Sequence, residues 1–523
     1  MAAVPPILTH ASYDDVPYEA SLAPRTHPQN AEVIARLFGL SPQPAASARV
    51  LEIGCGTGGN VLPMAYSLPG ATFVGVDLSA PQVAMAKANA ATLELGNVRF
   101  VCADIADFEP ESAFDYIICH GVYSWVPPET RAAILALCEK ALSPHGVAHI
   151  SYNVLPGWHM RGAFREMLRF HAQHFPGASE RVEQARAFGR FLTEATAALG
   201  DASPRNSAYS TLLREEFELI QALPDFYVLH EHLADTNDPF SFLDFLEQAG
   251  AHGLRYLGDA AFSTMLTQNL PHETAEALDR IAPTREALEQ YRDFVVNRAF
   301  RQSLLVRAGA PVNSQLDSNA IDGLTVRAAI RRQESGEWFI PQAGGASRAI
   351  HEPLAAGILD ALANAYPTSL SFVSLAEALD GLPWPPGIED HAAHLRAVLL
   401  SLFATDAVEL RTWNPEVATA IPDFPRAFRS AMIAEAGVGV PTPFHSLVAL
   451  GPSSARLLPL LTGTTGKPEL IAAIVAMIAS GELHIEGPDG SDRGSPDAAE
   501  AVVDASLQQL MQAGLLEAPR PSG

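Results

Sequence analysis

Residues 50–59 read VLEIGCGTGG, an apolar run that enters closely spaced glycines. Gly54, Gly56 and Gly58 have no Cβ, so the chain can turn there with positive φ and bring backbone N–H groups and a helix N-terminus against a bound molecule. Glu52 stands two residues before the first glycine, where a carboxylate repels a pyrophosphate but can orient an α-amino group directly or through water. Asp77 closes VGVDLS, followed by Leu78, at a position where a carboxylate accepts both ribose hydroxyl protons. Asp104 closes VCADI, placed to accept the exocyclic amino group of adenine while Ile105 packs on the ring.

The glycines alone are ambiguous. Gly54, Gly56 and Gly59 also satisfy the dinucleotide pattern G-x-G-x-x-G, with Asp77 in the place of the ribose-binding acid. A Gly-rich turn of any α/β protein gives similar letters, and Asp104 by itself could be a helix cap. The charge of Glu52, taken with the order of all these signals, favours a phosphate-free cation: S-adenosylmethionine, leaving S-adenosylhomocysteine as product.

Positioning such residues requires a sheet. From Arg49 to about Ile150, RVLEIG, TFVGVD, VRFVCAD, FDYIICH and GVAHISY alternate with helical stretches, the rhythm of a parallel, doubly wound, Rossmann-like α/β fold. This core, with an N-terminal lid, is assigned to residues 1–165. Residues 166–307 show apolar spacings of three and four, as in EEFELIQALPDF and DFVVNRAFRQSLLV, and predict a helical module. Residues 308–350, rich in Gly, Ala, Ser and Asn with one strand candidate at EWFIP, are expected to form a loose linker. In 351–523, VLLSLFATDAVELR and SLQQLMQAGLLEA echo one another as helix, turn and strand, and each follows further helical stretches, as in winged-helix units.

Composition bounds the function. The 523 residues predict several domains, and 48% apolar against 18% charged residues excludes global disorder. Lys and Arg number 34 against 59 Asp and Glu, a net charge of −25. That acidity suits solubility and a cationic substrate better than a phosphate backbone. The candidate third helices, 389–403 and 497–511, carry between them one Arg and no Lys, so nucleic acid is not the expected partner despite the winged-helix outline. Cys55, Cys102, Cys119 and Cys138 lack metal-ligand spacing and read as reduced thiols of a cytoplasmic protein. No basic, apolar leader opens the chain, and the apolar run from Leu470 to Ala479 is half of the ~20 residues that span a bilayer, so neither export by that route nor membrane insertion is expected.

With these motifs the sequence resembles the class I S-adenosylmethionine-dependent methyltransferases. FDYIICHGVYSWVPPE at 114–129 and SYNVLPGWHMRG at 151–162 look like a narrower bacterial family that carries a methyltransferase regulatory domain and includes protein-lysine methyltransferases. FYVLHEHLADTNDPFSFLDFLEQAGAHGLRYLGDA, DFVVNRAFRQSLLV and the N-terminal YDDVPYEASLAPRTHPQN extend the likeness over roughly Tyr13 to Val306. The resemblance implies the fold and the cofactor, whereas the methyl acceptor does not follow from it.

A lysine acceptor at pH ~7.4 must lose a proton whose free pKa is about 10.4, a cost of about 4 kcal/mol that a dry aromatic channel lowers. Tyr123 and Trp125 after the fourth strand, Tyr152, Asn153 and Trp158 after the fifth, and Tyr18 as a lid are expected to form that channel. His120 borders the cofactor, and the rival reading makes it a general base for an oxygen acceptor. Ordinary packing is the alternative for each aromatic. Tyr227 and His230 are placed at the acceptor entrance. His230-Glu231-His232 lacks the i, i+4 spacing of a zinc motif, so no metal is assigned. Protein-lysine methylation is the expected function. The alternatives are methylation of a small metabolite or biosynthetic peptide, and a non-catalytic cofactor-binding protein whose acidic C-terminal units recruit a partner.

Overall fold

The computed structural model describes residue 16 and residues 22–200, 203–266, 269–333, 336–341, 347–382, 384–433, 439–484 and 496–519. Its centre is a seven-stranded sheet of order β3-β2-β1-β4-β5-β7-β6. The strands are β1 Arg49–Ile53, β2 Thr72–Asp77, β3 Val98–Cys102, β4 Phe114–Cys119, β5 Leu142–Asn153, β6 Leu254–Asp259 and β7 Phe300–Arg307. β1 to β5 run parallel; Ile53 pairs with Val76 on one side and with Cys119 on the other, and Asp77 pairs with Cys102. The register therefore sets the residues that follow β1, β2 and β4 side by side along one edge. Strand order reverses between β1 and β4, and ligands of open α/β sheets bind at such a switch point.

The parallel order expected from Arg49 to about Ile150 holds for β1 to β5, and one expectation is corrected. The sheet is mixed: β7 runs antiparallel to both β5 and β6. Both β6 and β7 come from 166–307, so this region is not purely helical. DFVVNRAFRQSLLV divides into the end of the helix Arg285–Val296, a left-handed Asn297 at φ +48° that stops it, and β7. Helices Gly157–Ala172, Ala178–Ala198 and Pro204–Ala222 form the helical module, packed around Phe164, Leu168, Val182, Leu213 and Ile220.

The linker expectation is corrected as well. Within 308–350 the strand Thr325–Ala328 pairs antiparallel with Val408–Arg411 and Leu370–Ser371. With helices Pro353–Ala365, Phe372–Ala378 and His391–Phe403 it builds a first winged-helix-like unit. Val326, Leu359 and Leu399 belong to the same buried cluster as Ile34, Val50 and Leu304, so this unit shares one core with a face of the central sheet. EWFIP does supply a strand, Phe339–Pro341, paired with Ser347–Ala349. The second unit holds the hairpin Val440–Pro441 with Leu447–Val448 and the helices Lys467–Ala479 and Pro496–Gln512 around its own core.

Candidate active site

Gly54, Gly56 and Gly58 all have positive φ, at +71°, +51° and +86°. A Cβ on Gly54 would lie 2.4 Å from Val122 Cγ2, so the turn cannot accept a side chain. The Asp77 carboxylate braces this turn: Oδ2 accepts the Gly56 N–H at 2.8 Å and Oδ1 the Ser79 N–H at 2.9 Å. These two bonds orient the Asp77 carboxylate at the end of β2. Ser79 caps the helix Ala80–Thr92, and Leu78 between them is 42% exposed, an apolar side chain at the rim. Asp104 is exposed and its Oδ1 accepts the Ala106 N–H at 2.9 Å, so it does cap a turn, while Ile105 beside it is buried.

Glu52 is buried, with Oε1 accepting the Asn60 Nδ2–H at 2.5 Å. Its Oε2 is buried with no hydrogen-bond partner among the described residues. Desolvation pushes the Glu52 carboxyl up to about 8, Asn60 opposes this, and the Asp77 charge adds to it. An orphaned acidic oxygen buried beside a glycine turn fits an ammonium group, which would restore its ionised form, and does not fit a pyrophosphate.

On the acceptor side, His120 follows β4 and is half-buried, with its ring edge-on to His149 and to Phe300, each 5.9 Å away between centroids. Desolvation lowers the His120 imidazole to about 4, so it is neutral near pH 7. Phe300 is 42% exposed and pairs in register with Asn153. The Asn153 N–H donates to Ser124 Oγ at 2.9 Å, which ties the Tyr123–Trp125 turn to the end of β5, and its Nδ2 is buried without a partner among the described residues. His120, Phe300 and Asn153 thus lie together at this edge, and Ser124 ties to it the turn that carries Trp125.

The remaining expected channel residues do not line it. Tyr123 is fully buried, its hydroxyl donating to Gln248 Oε1 at 2.9 Å and its ring against Phe245. Tyr152 is buried, stacked on Phe245 at 4.0 Å with its hydroxyl 3.0 Å from Ser303 Oγ. Both pack under the sheet, because inward positions beside an apolar helix favour burial of the ring. Trp158 is 5% exposed, edge-on to Trp125 at 6.1 Å, with the Arg161 guanidinium 5.5 Å from its ring centroid. Trp125 and Tyr227 keep partial exposure. His230 is buried and its Nε2 is 2.7 Å from the Val16 carbonyl oxygen, so it anchors the N-terminal segment, not the entrance. Tyr18 lies outside the described residues. Phe300 and Asn60 were missed from sequence; Phe300 carried a helical reading, and Asn60 stood one residue past the glycines without a role.

Comparison with known proteins bears on this geometry. Residues 50–146 match the family "Methyltransferase domain", 224–307 match "Predicted methyltransferase regulatory domain", and 423–515 match "PKMT, C-terminal winged helix domain". Uncharacterized protein RP028 of Rickettsia prowazekii (strain Madrid E) is 41% identical over 46% of this chain and 93% of its own length. The chain belongs to the class I S-adenosylmethionine-dependent methyltransferases that carry a methyltransferase regulatory domain. Uncharacterized protein RP789 of the same organism is 37% identical over 60% of this chain, and the match spans about half of that relative, 56%. The solved structure of PKMT2 from Rickettsia typhi in complex with AdoHcy is similar over 96% of this chain and all of that one, with 28% identity and a TM-score of 0.82. This methyltransferase therefore uses S-adenosylmethionine, and its second C-terminal unit matches the winged-helix domain of the family. No described helix is long and apolar enough to cross a membrane.

Proposed function

We propose that this methyltransferase transfers methyl groups from S-adenosylmethionine to lysine side chains of a protein substrate, with Glu52 at the amino end of the cofactor, Gly54, Gly56 and Gly58 against its backbone, and Asp77 on its ribose. The bound sulfonium supplies an activated methyl group, so the protein has chiefly to desolvate and aim the acceptor. The observation that carries the lysine reading is the grouping of Phe300, Asn153 and a neutral His120 at the C-terminal edge of β4 and β5, with the Tyr123–Trp125 turn tied to Asn153. Aromatic and apolar surroundings lower the pKa of an amine by disfavouring its charged form. An imidazole held near 4 is a poor base for a hydroxyl but adds no positive charge beside the sulfonium. Turned over, the Asn153 amide presents Oδ1 where Nδ2 now lies buried, an acceptor for an amine N–H. The likeness to PKMT2 over the whole of that chain supports a protein substrate.

Incubation of the pure protein with labelled S-adenosylmethionine and a cell lysate tests this. Label in the protein fraction supports the proposal, and label confined to small molecules rejects it in favour of a metabolite methyltransferase.

A further inference from the structure

The carboxyl group at the cofactor end of β1 is tied to the C-terminal third of the chain through one amide. Asn60 Nδ2 donates to Glu52 Oε1 at 2.5 Å and to Thr26 Oγ1 at 3.0 Å. Asn60 Oδ1 accepts the Ala23 backbone N–H at 3.0 Å and lies 3.1 Å from His445 Nε2. Because Ala23 N can only donate, the Asn60 oxygen must face it, which fixes the amide and turns its NH2 toward Glu52. The same oxygen then requires a proton on His445 Nε2. Both amide hydrogens are thereby used, and the Ala23 N–H, the Thr26 hydroxyl at 3.1 Å and His445 Nε2 converge on the oxygen.

His445 is held for this contact. It is 2% exposed and sits at φ +58°, a left-handed conformation that is uncommon outside glycine. Its own N–H donates to the Thr442 carbonyl at 3.0 Å, and the Thr442 N–H to Ser446 O at 2.8 Å, closing a tight turn. The ring packs 5.3 Å from His27, which stacks in turn on Trp413. Burial lowers the His445 imidazole to about 3, against a hydrogen bond to the Ala23 backbone that raises it, so the ring is neutral and its one N–H faces both Ala23 and Asn60 Oδ1. Around it, Tyr66 OH donates to Glu517 Oε1 at 3.1 Å, and Thr412 Oγ1 to Glu32 Oε2 at 2.7 Å, so the two C-terminal units are fastened to the methyltransferase core.

We propose that His445 is a positioning residue for the methyl donor: by bonding Asn60, the C-terminal unit fixes the Glu52 carboxylate at the amino end of the cofactor site. The winged-helix region then completes the enzyme's cofactor pocket from behind. This rests on the placement of Glu52 given above, and the two can fail separately.

The test is calorimetric binding of S-adenosylhomocysteine to the full-length protein and its variants. His445→Phe keeps a ring but removes the donor; affinity is expected to fall about tenfold. His445→Gln sets an amide N–H near the Nε2 position and should stay within about threefold of the unaltered protein. Asn60→Ala should weaken binding at least as much as His445→Phe, and the double variant should bind no more weakly than Asn60→Ala alone. In steady state, His445→Phe should raise KM for the methyl donor while kcat and KM for the acceptor hold, a split that general destabilisation does not give. If His445→Phe does not fold, His445→Asn, whose N–H is too short to reach Asn60, takes its place with the same expected loss. The proposal is overturned if the donor-less variant binds within twofold of the unaltered protein, or if the His445 and Asn60 losses multiply. Unchanged affinity in Glu52→Gln would instead remove the placement of Glu52, and a loss there without one in His445→Phe removes only the role of His445.

Discussion

Asn60 Nδ2 lies 2.5 Å from Glu52 Oε1 and so divides the Glu52 carboxyl into one held oxygen and one buried oxygen without a partner among the described residues. The folded-state pKa of about 8 stands above the ordinary 4.5 because burial disfavours the charge. A group raised in this way contributes stability below pH 4.5 that is lost as pH rises through 8.

Glu52→Gln removes that dependence. Its melting temperature without cofactor, relative to the unaltered protein, is expected to rise steadily across pH 4.5 to 8, as scanning calorimetry would record. The same variant should bind the cofactor about tenfold or more weakly, and affinity in the unaltered protein should climb between pH 6 and pH 8 as ~1.4 kcal/mol per pH unit of ionisation is recovered. A melting difference that ignores pH would contradict the burial account.

Cofactor and acceptor sites should separate by mutation. Asp77→Ala frees the Gly56 and Ser79 N–H groups it now accepts, and should weaken S-adenosylhomocysteine binding by about tenfold or more in calorimetry. Trp125→Ala should leave that binding intact and lower turnover or acceptor affinity by roughly tenfold, the scale of one lost aromatic contact. Unchanged methylation in Trp125→Ala means that the acceptor site lies elsewhere.

The imidazole of His120, lowered to about 4 by burial, should contribute no ionisation between pH 6 and 9. The rate of methyl transfer is expected to rise with pH over that range as the acceptor amine loses its proton, and His120→Asn should change the amplitude without moving the midpoint. A limb near pH 6.5 that disappears in His120→Asn would restore the general-base reading.

The fully buried Arg301 joins Asp293 at 2.8 Å, Glu289 at 3.0 Å and Asp259, clamping the helix Arg285–Val296 to β6 and β7. Arg301→Met leaves these carboxylates without their shared partner and should cost about 3–5 kcal/mol in urea unfolding. A loss below about 1 kcal/mol would mean that Arg298 and Arg292 take over the cluster.

The strands that lead to Gly54, Asp77 and Asp104 were legible because their apolar runs report the sheet. The Arg301 cluster was not: FRQSLLV alternates as a strand, but the preceding helix shares its three-four spacing, and only Asn297 in a left-handed conformation separates them. Tyr123 and Tyr152 follow or end strands as a substrate-lining residue would, yet their side chains turn onto Phe245, a contact set by a helix more than ninety residues further on. His445 carried no local signal at all, since its role depends on an amide 385 residues away.

Peptide mapping by mass spectrometry, after the enzyme has acted on lysate proteins with a donor bearing a deuterated methyl group, reads the acceptor atom itself. Heavy methyl groups on lysine Nζ, lost with Asp77→Ala, are the predicted result. Heavy methyl found solely on oxygen, or on no polypeptide, would contradict the account.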